Sequence, residues 1–469
     1  MGWLLVPSML AGGSEVVAHV TVLAFCLLGV FATVALALRL GLTRGAAMGA
    51  GLLLATTPAV LGMAGTVMPD VPAMALGVAG LERLVAWRDE RRLGQGVAAA
   101  VLLGLAAMTR SHLFVLLAVA VLLVAGDYLR DRSWWTSRAR ATWLPIIAAP
   151  LLSVAVALVT RDPQGSSADL ARAASVLSGA HFVPLNVVSF ATHWVLAFPL
   201  ALGWLLLHPR SMVRRWWVFL LATAAAAGLL AVGQDLWPRS VMIATAPIAG
   251  LGATVLLDVA ADAWARRDSV QLTLAAWLFI ALPAAIYVHF PAKYLVASAP
   301  AAALLVARNL NARALVPAVS LLLAAGAALD VAILRADAAF AGLGRRAASE
   351  LIAPNVDAGR HVWFAGSWGF QWYAERAGGA IVSLDRPGPV AGDLLVTAEN
   401  TAICAEVKQT LADLYGPRAR HIASLAEKSP GGRLMDRDLG AGFFSNTWGS
   451  FPWCWGKTDM EVFNLWRIE

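Results

Sequence analysis

The chain has 469 residues, of which 59% are hydrophobic and only 14% are charged, and its mean hydropathy is +0.69. This composition excludes an ordinary soluble protein and indicates an integral membrane protein. The formal net charge of +7 does not indicate nucleic-acid binding, because the basic residues lie in short loops between apolar runs, where they orient membrane helices.

The apolar runs in the first part of the chain are long enough, or nearly so, to cross a bilayer, and they predict about twelve spans. Thr109, Arg110 and Ser111 alone separate the fourth run from the fifth, so these two could form one bent hairpin. Residues 1–334 are therefore predicted to form a mainly α-helical, polytopic membrane bundle. The runs cover residues 17–38, 46–66, 71–87, 96–109, 111–127, 143–160, 185–207, 216–233, 239–261, 269–288, 292–307 and 314–334.

Basic residues divide unevenly between the two sides of the predicted bundle. If each run crosses once, most arginines fall in loops on one side, from Arg39 and Arg44 to Arg308 and Arg313. The positive-inside rule makes this side cytoplasmic. The opposite, extracytoplasmic side then holds the C-terminal tail and a set of polar residues, namely Asp70, Arg110, His112, Arg239, His289 and Lys293.

After about residue 335 charged residues become frequent and apolar runs shrink to strand length. Strands are predicted at 361–365, 380–384, 393–397 and 461–466, with helices at 370–377 and 401–414. Residues 335–469 are therefore predicted to form a small extracytoplasmic α/β domain. A disulfide between Cys404 and Cys454 is chemically permitted there, although the sequence does not show that they approach each other.

Asp70 is the most informative polar residue, because it stands where one long apolar run ends and the next begins. A carboxylate at the end of a membrane bundle is costly unless it is used or paired, so Asp70 is predicted to be a catalytic group. It could position an acceptor or assist a base. The alternative is that Asp70 only caps the helix entered at Val71, with help from Pro69 and Pro72.

Two cations on the predicted outer side, Arg110 and Lys293, are candidates for binding phosphate, Arg as a fork and Lys as a point charge. Each has a structural alternative: Arg110 could pair with a carbonyl at a break between short helices, and Lys293 with Tyr294 could anchor the chain at the membrane interface. The remaining candidates for binding a phosphate, or the group that it carries, are His112, Arg239, His289 and Tyr294.

The sequence predicts no metal site and no cofactor. The outer loops lack an Asp-x-Asp pair, and in the tail Arg437 separates Asp436 from Asp438. Gly94-Gln95-Gly96 lacks the lysine and the strand of a nucleotide-binding loop. The sequence therefore does not indicate a site for a nucleotide.

Several stretches carry a resemblance to a known family. They are residues 3–16, the basic turn 39–44, the stretch 68–76 around Asp70, the glycine-containing helix 103–111 that ends at Thr109 and Arg110, and 289–295 with Pro300; two stretches of the tail, 366–373 and 440–445, add to them. Together they resemble the type C glycosyltransferases that use polyprenyl-phosphate sugars, among them the bacterial relatives of protein O-mannosyltransferases and the lipid A aminoarabinose transferases.

The resemblance implies a multi-pass protein of the bacterial cytoplasmic membrane that transfers a sugar from a polyprenyl-phosphate carrier on the cell-envelope side. The acceptor stays open between a lipid, a glycan and a protein. The resemblance also implies that the family's first helix and first external loop, which supplies its catalytic carboxylate, are absent ahead of residue 15. Glu15 is the only acid there, and it falls at a structural Gly-Ser-Glu-like turn.

Two other functions remain open. A multi-span transporter would also suit twelve spans, although no internal repeat between halves is visible and few charges lie deep in the helices. The third possibility is a truncated or inactive relative that serves as a membrane interaction protein.

Overall fold

A computed structural model describes residues 2–110, 115–130, 137–159, 183–197, 200–232, 237–286, 289–310, 312–382, 388–399, 413 and 416–469. The chain divides into two compact units. Unit 1 comprises Met1–Val331 and Gly442–Pro452, and unit 2 comprises Ala332–Ala441 and Trp453–Glu469. Gly442–Pro452, which we call the tail insert, therefore belongs with the helical unit, whereas the predicted division placed it with the C-terminal domain.

Unit 1 is built from helices. In chain order they are α1 Val6–Leu10, α2 Glu15–Arg39, α3 Arg44–Ala55, α4 Pro58–Ala64, α5 Asp70–Glu90, α6 Leu93–Thr109, α7 Val115–Arg130, α8 Ser137–Val159, α9 Pro184–Leu196, α10 Leu200–Leu207, α11 Pro209–Arg214, α12 Trp216–Val232, α13 Arg239–Arg266, α14 Ser269–Leu278 and α15 Ala299–Asn309. The helix α16, Ala312–Ala347, begins in unit 1 and ends in unit 2.

Three described helical stretches are long and apolar enough to cross a membrane: Glu15–Arg39, Arg239–Arg266 and Val316–Asp357. Two bent pairs, α3 with α4 (58°) and α9 with α10 (64°), bring the number to five if each pair is one span. The described residues thus form a multi-pass helical protein, as predicted. The count of twelve is not confirmed, because other apolar helices such as Leu93–Thr109 and Trp216–Val232 have only 10–17 residues, fewer than the ~20 that a straight span needs.

Local chemistry explains where several helices begin and break. Thr43 accepts a bond from the Ala46 N–H at 3.3 Å and so caps α3, and Asp268 caps α14 by accepting the Val270 N–H at 2.9 Å. Pro58 at the start of α4 has no N–H to continue the ladder from α3, so the predicted run 46–66 is bent rather than straight. The predicted run 292–307 likewise begins as a 3₁₀ turn, Ala292–Ser298, before α15.

The helix α5 is enclosed by its neighbours, with almost every residue from Asp70 to Ala86 buried. A Cβ added at Gly80 would lie 2.8 Å from Leu103 Cγ of α6, so the absence of a side chain permits this close packing. At the far end, Arg39 of α2 pairs with Glu82 at 2.5 Å and with Glu90 at 2.9 Å. Because 21 residues of helix span roughly 30 Å, this charged end lies far from Asp70.

Unit 2 contains a five-stranded sheet of order β2-β1-β3-β9-β4, in which β1 runs parallel to β2 and β3, and β9 runs antiparallel to β3 and β4. One face packs on the apolar core around Phe364, Val396 and Phe463. The elements are α17 Ala353–Asp357, β1 Val362–Ala365, α18 Trp368–Arg376, β2 Ala380–Ile381, β3 Leu394–Ala398, β4 Ala419–Lys428, β5 Gly432–Arg433, β6 Met435–Asp436, β7 Ala441–Gly442, β8 Cys454–Trp455 and β9 Asp459–Ile468.

The predicted strands 361–365, 393–397 and 461–466 correspond to β1, β3 and β9. The strand β4 was not predicted, because it is largely exposed and its sequence has no apolar run. Most of the predicted helix 401–414, and Cys404 within it, lie outside the described residues, and Cys454 forms no disulfide with any described cysteine.

Candidate functional site

Asp70 is the first residue of α5 and is only 3% exposed. Neither of its carboxylate oxygens accepts a hydrogen bond of ordinary geometry from the described part of the chain. The helix cap itself is Pro69, which supplies no side-chain cap bond. A side-chain cap therefore does not explain this carboxylate within the described part of the chain.

Arg110 is the ion-pair partner of Asp70, with 3.3 Å between Arg110 Nε and Asp70 Oδ1. It lies immediately after α6 in an extended conformation, with φ −148° and ψ 110°, and its backbone N–H still bonds to the Ala106 carbonyl. The backbone hydrogen bonds of α6 therefore end at Arg110, and the Arg110 guanidinium lies beside Asp70 at the start of α5. The Arg110 side chain is 26% exposed, so a ligand can reach it, whereas that of Asp70 is 2% exposed.

The 3₁₀ turn Ala292–Ser298 brings Lys293 and Tyr294 to the same place. The Arg110 guanidinium lies over the Tyr294 ring, 5.7 Å from its centroid, a cation–π contact that holds the cation in position. Lys293 lies close enough to Asp70 for their charges to interact. We call Asp70, Arg110, Lys293 and Tyr294 the carboxylate–cation group.

His289 borders this group, with its ring centroid 6.2 Å from that of Tyr294. Burial, together with the nearby cations Lys293 and Arg110, lowers the pKa of His289 to about 4. The imidazole is therefore neutral at pH 7. A neutral ring can donate or accept a hydrogen bond without adding to the positive charge of the group.

The other candidates from the sequence are not part of this arrangement. Arg239 is exposed at the first residue of α13, and no contact joins it to the carboxylate–cation group within the described ranges. His112 lies outside the described residues. Among the residues that the structure describes, no three His, Cys, Asp or Glu side chains are placed to hold a metal ion.

The group combines two kinds of chemistry. Arg110 and Lys293 carry two positive charges against one negative charge on Asp70, which leaves an excess of +1 to attract an anion such as a phosphate. The carboxylate of Asp70 accepts no hydrogen bond of ordinary geometry from the described residues, and a carboxylate can serve as a general base by accepting a proton from a hydroxyl or an amine.

One buried polar residue beside the site was not predicted. Asn446 of the tail insert bonds to Asn186 and Ser189 of α9 and to the backbone of Phe290, which precedes Lys293 by three residues. The signal that could have indicated it is the presence of polar Asn186, Ser189 and His193 inside the apolar run 185–207. Asn446, the partner of Asn186 and Ser189, lies 260 residues from Asn186 in the chain, and no local pattern indicates such a pairing.

No family model matches the chain, and no curated protein matches it. Two solved structures are similar to it at low identity. One is the crystal structure of ArnT from Cupriavidus metallidurans in the apo state, with 13% identity, 99% of this chain and 86% of that chain covered, and a TM-score of 0.39. The other is ArnT from the same organism bound to undecaprenyl phosphate, with 14% identity, 90% and 84% coverage, and a TM-score of 0.36. Scores this low establish neither a shared fold nor a shared family.

Proposed function

We propose that this protein is a membrane glycosyltransferase that moves a sugar from a polyprenyl-phosphate carrier to an acceptor on the extracytoplasmic face. The observation that carries the proposal is the carboxylate–cation group, in which a buried carboxylate lies 3.3 Å from an arginine and close enough to a lysine for their charges to interact. The apolar helices of unit 1 suit a lipid-linked donor, whose chain is soluble only in the membrane.

Each residue of the group has a role in this reaction. Arg110 and Lys293 bind the carrier phosphate and stabilise the negative charge that it gains as it departs. Asp70 accepts a proton from the acceptor hydroxyl or amine, whose oxygen or nitrogen then bonds to the anomeric carbon of the sugar. The bond between that carbon and the phosphate oxygen breaks, and the electron pair leaves with the polyprenyl phosphate. The products are a glycosylated acceptor and the free carrier.

Tyr294 and His289 complete the site. A cation–π contact is worth ~0.5–2 kcal/mol, so the Tyr294 ring fixes where Arg110 presents its donors. Neutral His289 offers a hydrogen-bonding group beside the phosphate or the sugar. The sugar and the acceptor class are set by groups that line the rest of the site, so the proposal leaves them general.

The proposal places the protein in the bacterial cytoplasmic membrane, with Asp70 and the C-terminal domain on the outer side. The support is the distribution of arginines along the sequence and the convergence of the predicted outer residues Asp70, Arg110, His289 and Lys293 in one part of unit 1. Residues from opposite sides of a membrane could not meet in this way.

Binding of the carrier is the first test. The full chain in lipid nanodiscs is titrated with undecaprenyl phosphate, and Kd is measured for wild type, Arg110→Gln and Lys293→Gln. Loss of one charge-assisted contact is worth ~1.5–3 kcal/mol, so we expect Kd to rise about 10-fold or more. The control is Arg44→Gln, an exposed arginine at the start of α3. Equal Kd values for all four proteins would contradict the roles of Arg110 and Lys293.

Turnover is the second test. The same protein is incubated with undecaprenyl phosphate linked to a pentose, a hexose or an amino sugar, together with lipid, glycan and peptide acceptors, and release of undecaprenyl phosphate is followed by mass spectrometry. We expect release that depends on both the sugar and the acceptor. Uptake of a labelled solute into vesicles, with no release from any donor, would support a transporter instead.

A further inference from the structure

Both the oxygen and the nitrogen of the Asn446 side-chain amide form hydrogen bonds inside unit 1. It is 3% exposed, and its Nδ2 donates to Asn186 Oδ1 and to Ser189 Oγ, each at 2.9 Å. Its Oδ1 accepts the backbone N–H of Phe290 at 2.7 Å. One side chain thus connects α9 to the backbone that leads into the carboxylate–cation group.

The direction of these bonds is fixed at both ends. The Phe290 N–H can only donate, and the Ala285 carbonyl, which accepts Asn186 Nδ2 at 3.2 Å, can only accept. Asn186 must therefore turn its oxygen toward Asn446, and Asn446 must turn its oxygen toward Phe290. Only an amide at position 446 supplies both the acceptor and the two donors. The chain of bonds holds residue 285 and residue 290 at fixed positions.

The tail insert is hydrogen-bonded to other parts of unit 1, away from Phe290, so it can hold Asn446 in place. Trp237 Nε1 donates to the Asn446 carbonyl at 3.1 Å, and the hydroxyls of Thr245 and Ser450 are hydrogen-bonded at 2.9 Å. The Gly442 N–H closes the insert on itself by donating to the Phe451 carbonyl at 2.7 Å. Asn446 is therefore held independently of the segment that it supports.

The supported segment carries two members of the group. The Phe290 ring meets that of Tyr294 edge-on, with centroids 5.8 Å apart, and the Tyr294 N–H bonds to the Pro291 carbonyl at 3.1 Å. We propose that Asn446 is a positioning residue, which fixes Phe290 so that Lys293 and Tyr294 stay beside Asp70 and Arg110. The inference that this affects carrier binding rests on the proposed function; the inference that Asn446 fixes the segment does not.

The first experiment measures the segment itself, in the full chain without any ligand. Hydrogen exchange of a peptide that includes the Phe290 amide is compared between wild type, Asn446→Ala and Asn446→Asp. We expect faster exchange in both variants, and a larger effect in the alanine variant, because aspartate keeps the acceptor for Phe290 but loses both donors. Thr245→Val is the matched control, since it removes one buried hydrogen bond of the same insert without touching Phe290.

The second experiment measures the consequence for binding. We expect Asn446→Ala to raise Kd for undecaprenyl phosphate about 10-fold, and Thr245→Val to change it less than 2-fold even where its Tm is lowered as much. In a double variant with Lys293→Gln, Asn446→Ala should weaken binding by a smaller factor than it does alone, because the cation that it positions is already gone.

The outcomes separate the two proposals. If wild type does not bind undecaprenyl phosphate, the proposed function is contradicted, and the exchange data alone decide whether Asn446 fixes the segment. The positioning role is overturned if wild type and Asn446→Ala bind undecaprenyl phosphate equally well. It is also overturned if Asn446→Ala and Lys293→Gln raise Kd by independent factors that multiply in the double variant. Exchange at Phe290 that is unchanged in Asn446→Ala would overturn it in either case.

Discussion

Asp70 and Arg110 carry opposite charges and differ in their burial and in their contacts. Asp70 is buried and hydrogen-bonds to no described residue, while Arg110 is a quarter exposed and rests on an aromatic ring. A buried carboxylate is retained only if a neighbouring cation compensates its lost hydration. The ion pair is therefore needed for the fold of this region as well as for the proposed chemistry, and a test must separate the two.

Asp70→Asn separates them, because the amide has nearly the same shape but cannot accept the acceptor proton. Removing a general base reduces rate by ~10²–10⁴-fold, and we expect a loss of that size in transfer while undecaprenyl phosphate still binds. Carrier release under single-turnover conditions is the measurement. Asp89→Asn at the other end of the same helix is the control, since that side chain is 42% exposed. Full activity in Asp70→Asn would remove this carboxylate from the mechanism.

His289 gives the site a dependence on pH. Its folded pKa of about 4 lies below the ordinary 6.5, so between these values the unfolded chain binds a proton that the folded chain does not. Stability is thus complete above pH 6.5 and falls as the pH drops toward 4, by at most ~1.4 kcal/mol per pH unit from this residue. We expect the Tm of His289→Gln minus the Tm of wild type to increase as the pH is lowered from 7.5 to 5. A difference that does not change with pH would contradict the buried, neutral state of this histidine.

Pairs of helices approach so closely in unit 1 that their contacts depend on the absence of side chains. A Cβ added at Gly252 of α13 would lie 2.0 Å from the carbonyl oxygen of Ala191 in α9, and 3.2 Å from Val195 Cγ2. The obstacle is backbone, which cannot rotate away. The helix that supplies Asn186 and Ser189 to the Asn446 network is therefore positioned by a glycine on its neighbour.

Gly252→Ala should push these helices apart and lower Tm by several degrees, since overpacking costs ~1–3 kcal/mol. Gly228→Ala on α12 is the control, because nothing lies within 4 Å of its added Cβ. There the gain in helix propensity of up to ~1 kcal/mol should leave Tm unchanged or slightly higher. Thermal unfolding of both variants in the same detergent is the measurement, and equal Tm values would show that α9 and α13 can separate at no cost.

At the scale of the whole molecule, the sequence predicts which side of the membrane each exposed residue faces. With Cys26, Cys404 and Cys454 replaced, single cysteines are introduced by Arg44→Cys and Lys457→Cys, both at exposed positions. A membrane-impermeant maleimide added to intact cells should label the second variant and not the first, because the positive-inside rule predicts that the basic loops are cytoplasmic. Detergent-opened cells provide the control, in which both must react. Labelling of Arg44→Cys in intact cells would reverse the predicted orientation.

Features that depend on neighbouring residues in the chain can be predicted from the sequence. The apolar run 71–87 corresponds to α5, and Asp70, Arg110 and Lys293, which the sequence predicts on one side of the membrane, lie near one another; their roles stay predictions. Features that depend on packing between distant parts of the chain cannot be predicted in this way. Pro58 bends the run 46–66, the helix α16 continues to Ala347 although the composition changes near 335, and Asn446 has partners that only the fold brings near. A periodic pattern reports the face of one element, not the partner that covers it.

The bond between Phe290 and Asn446 joins residues 156 positions apart, and this separation sets an order of events during synthesis. At ~5–20 residues per second, roughly ten to thirty seconds pass on the ribosome between the two residues. Throughout this interval Asp70, Arg110 and Lys293 have already been made, but the amide that fixes the segment does not yet exist. A nascent chain would therefore lack this support of the Phe290 segment until residue 446 has been made, and a stop codon ahead of residue 446 would yield a protein in which the Phe290 N–H has lost its Asn446 acceptor.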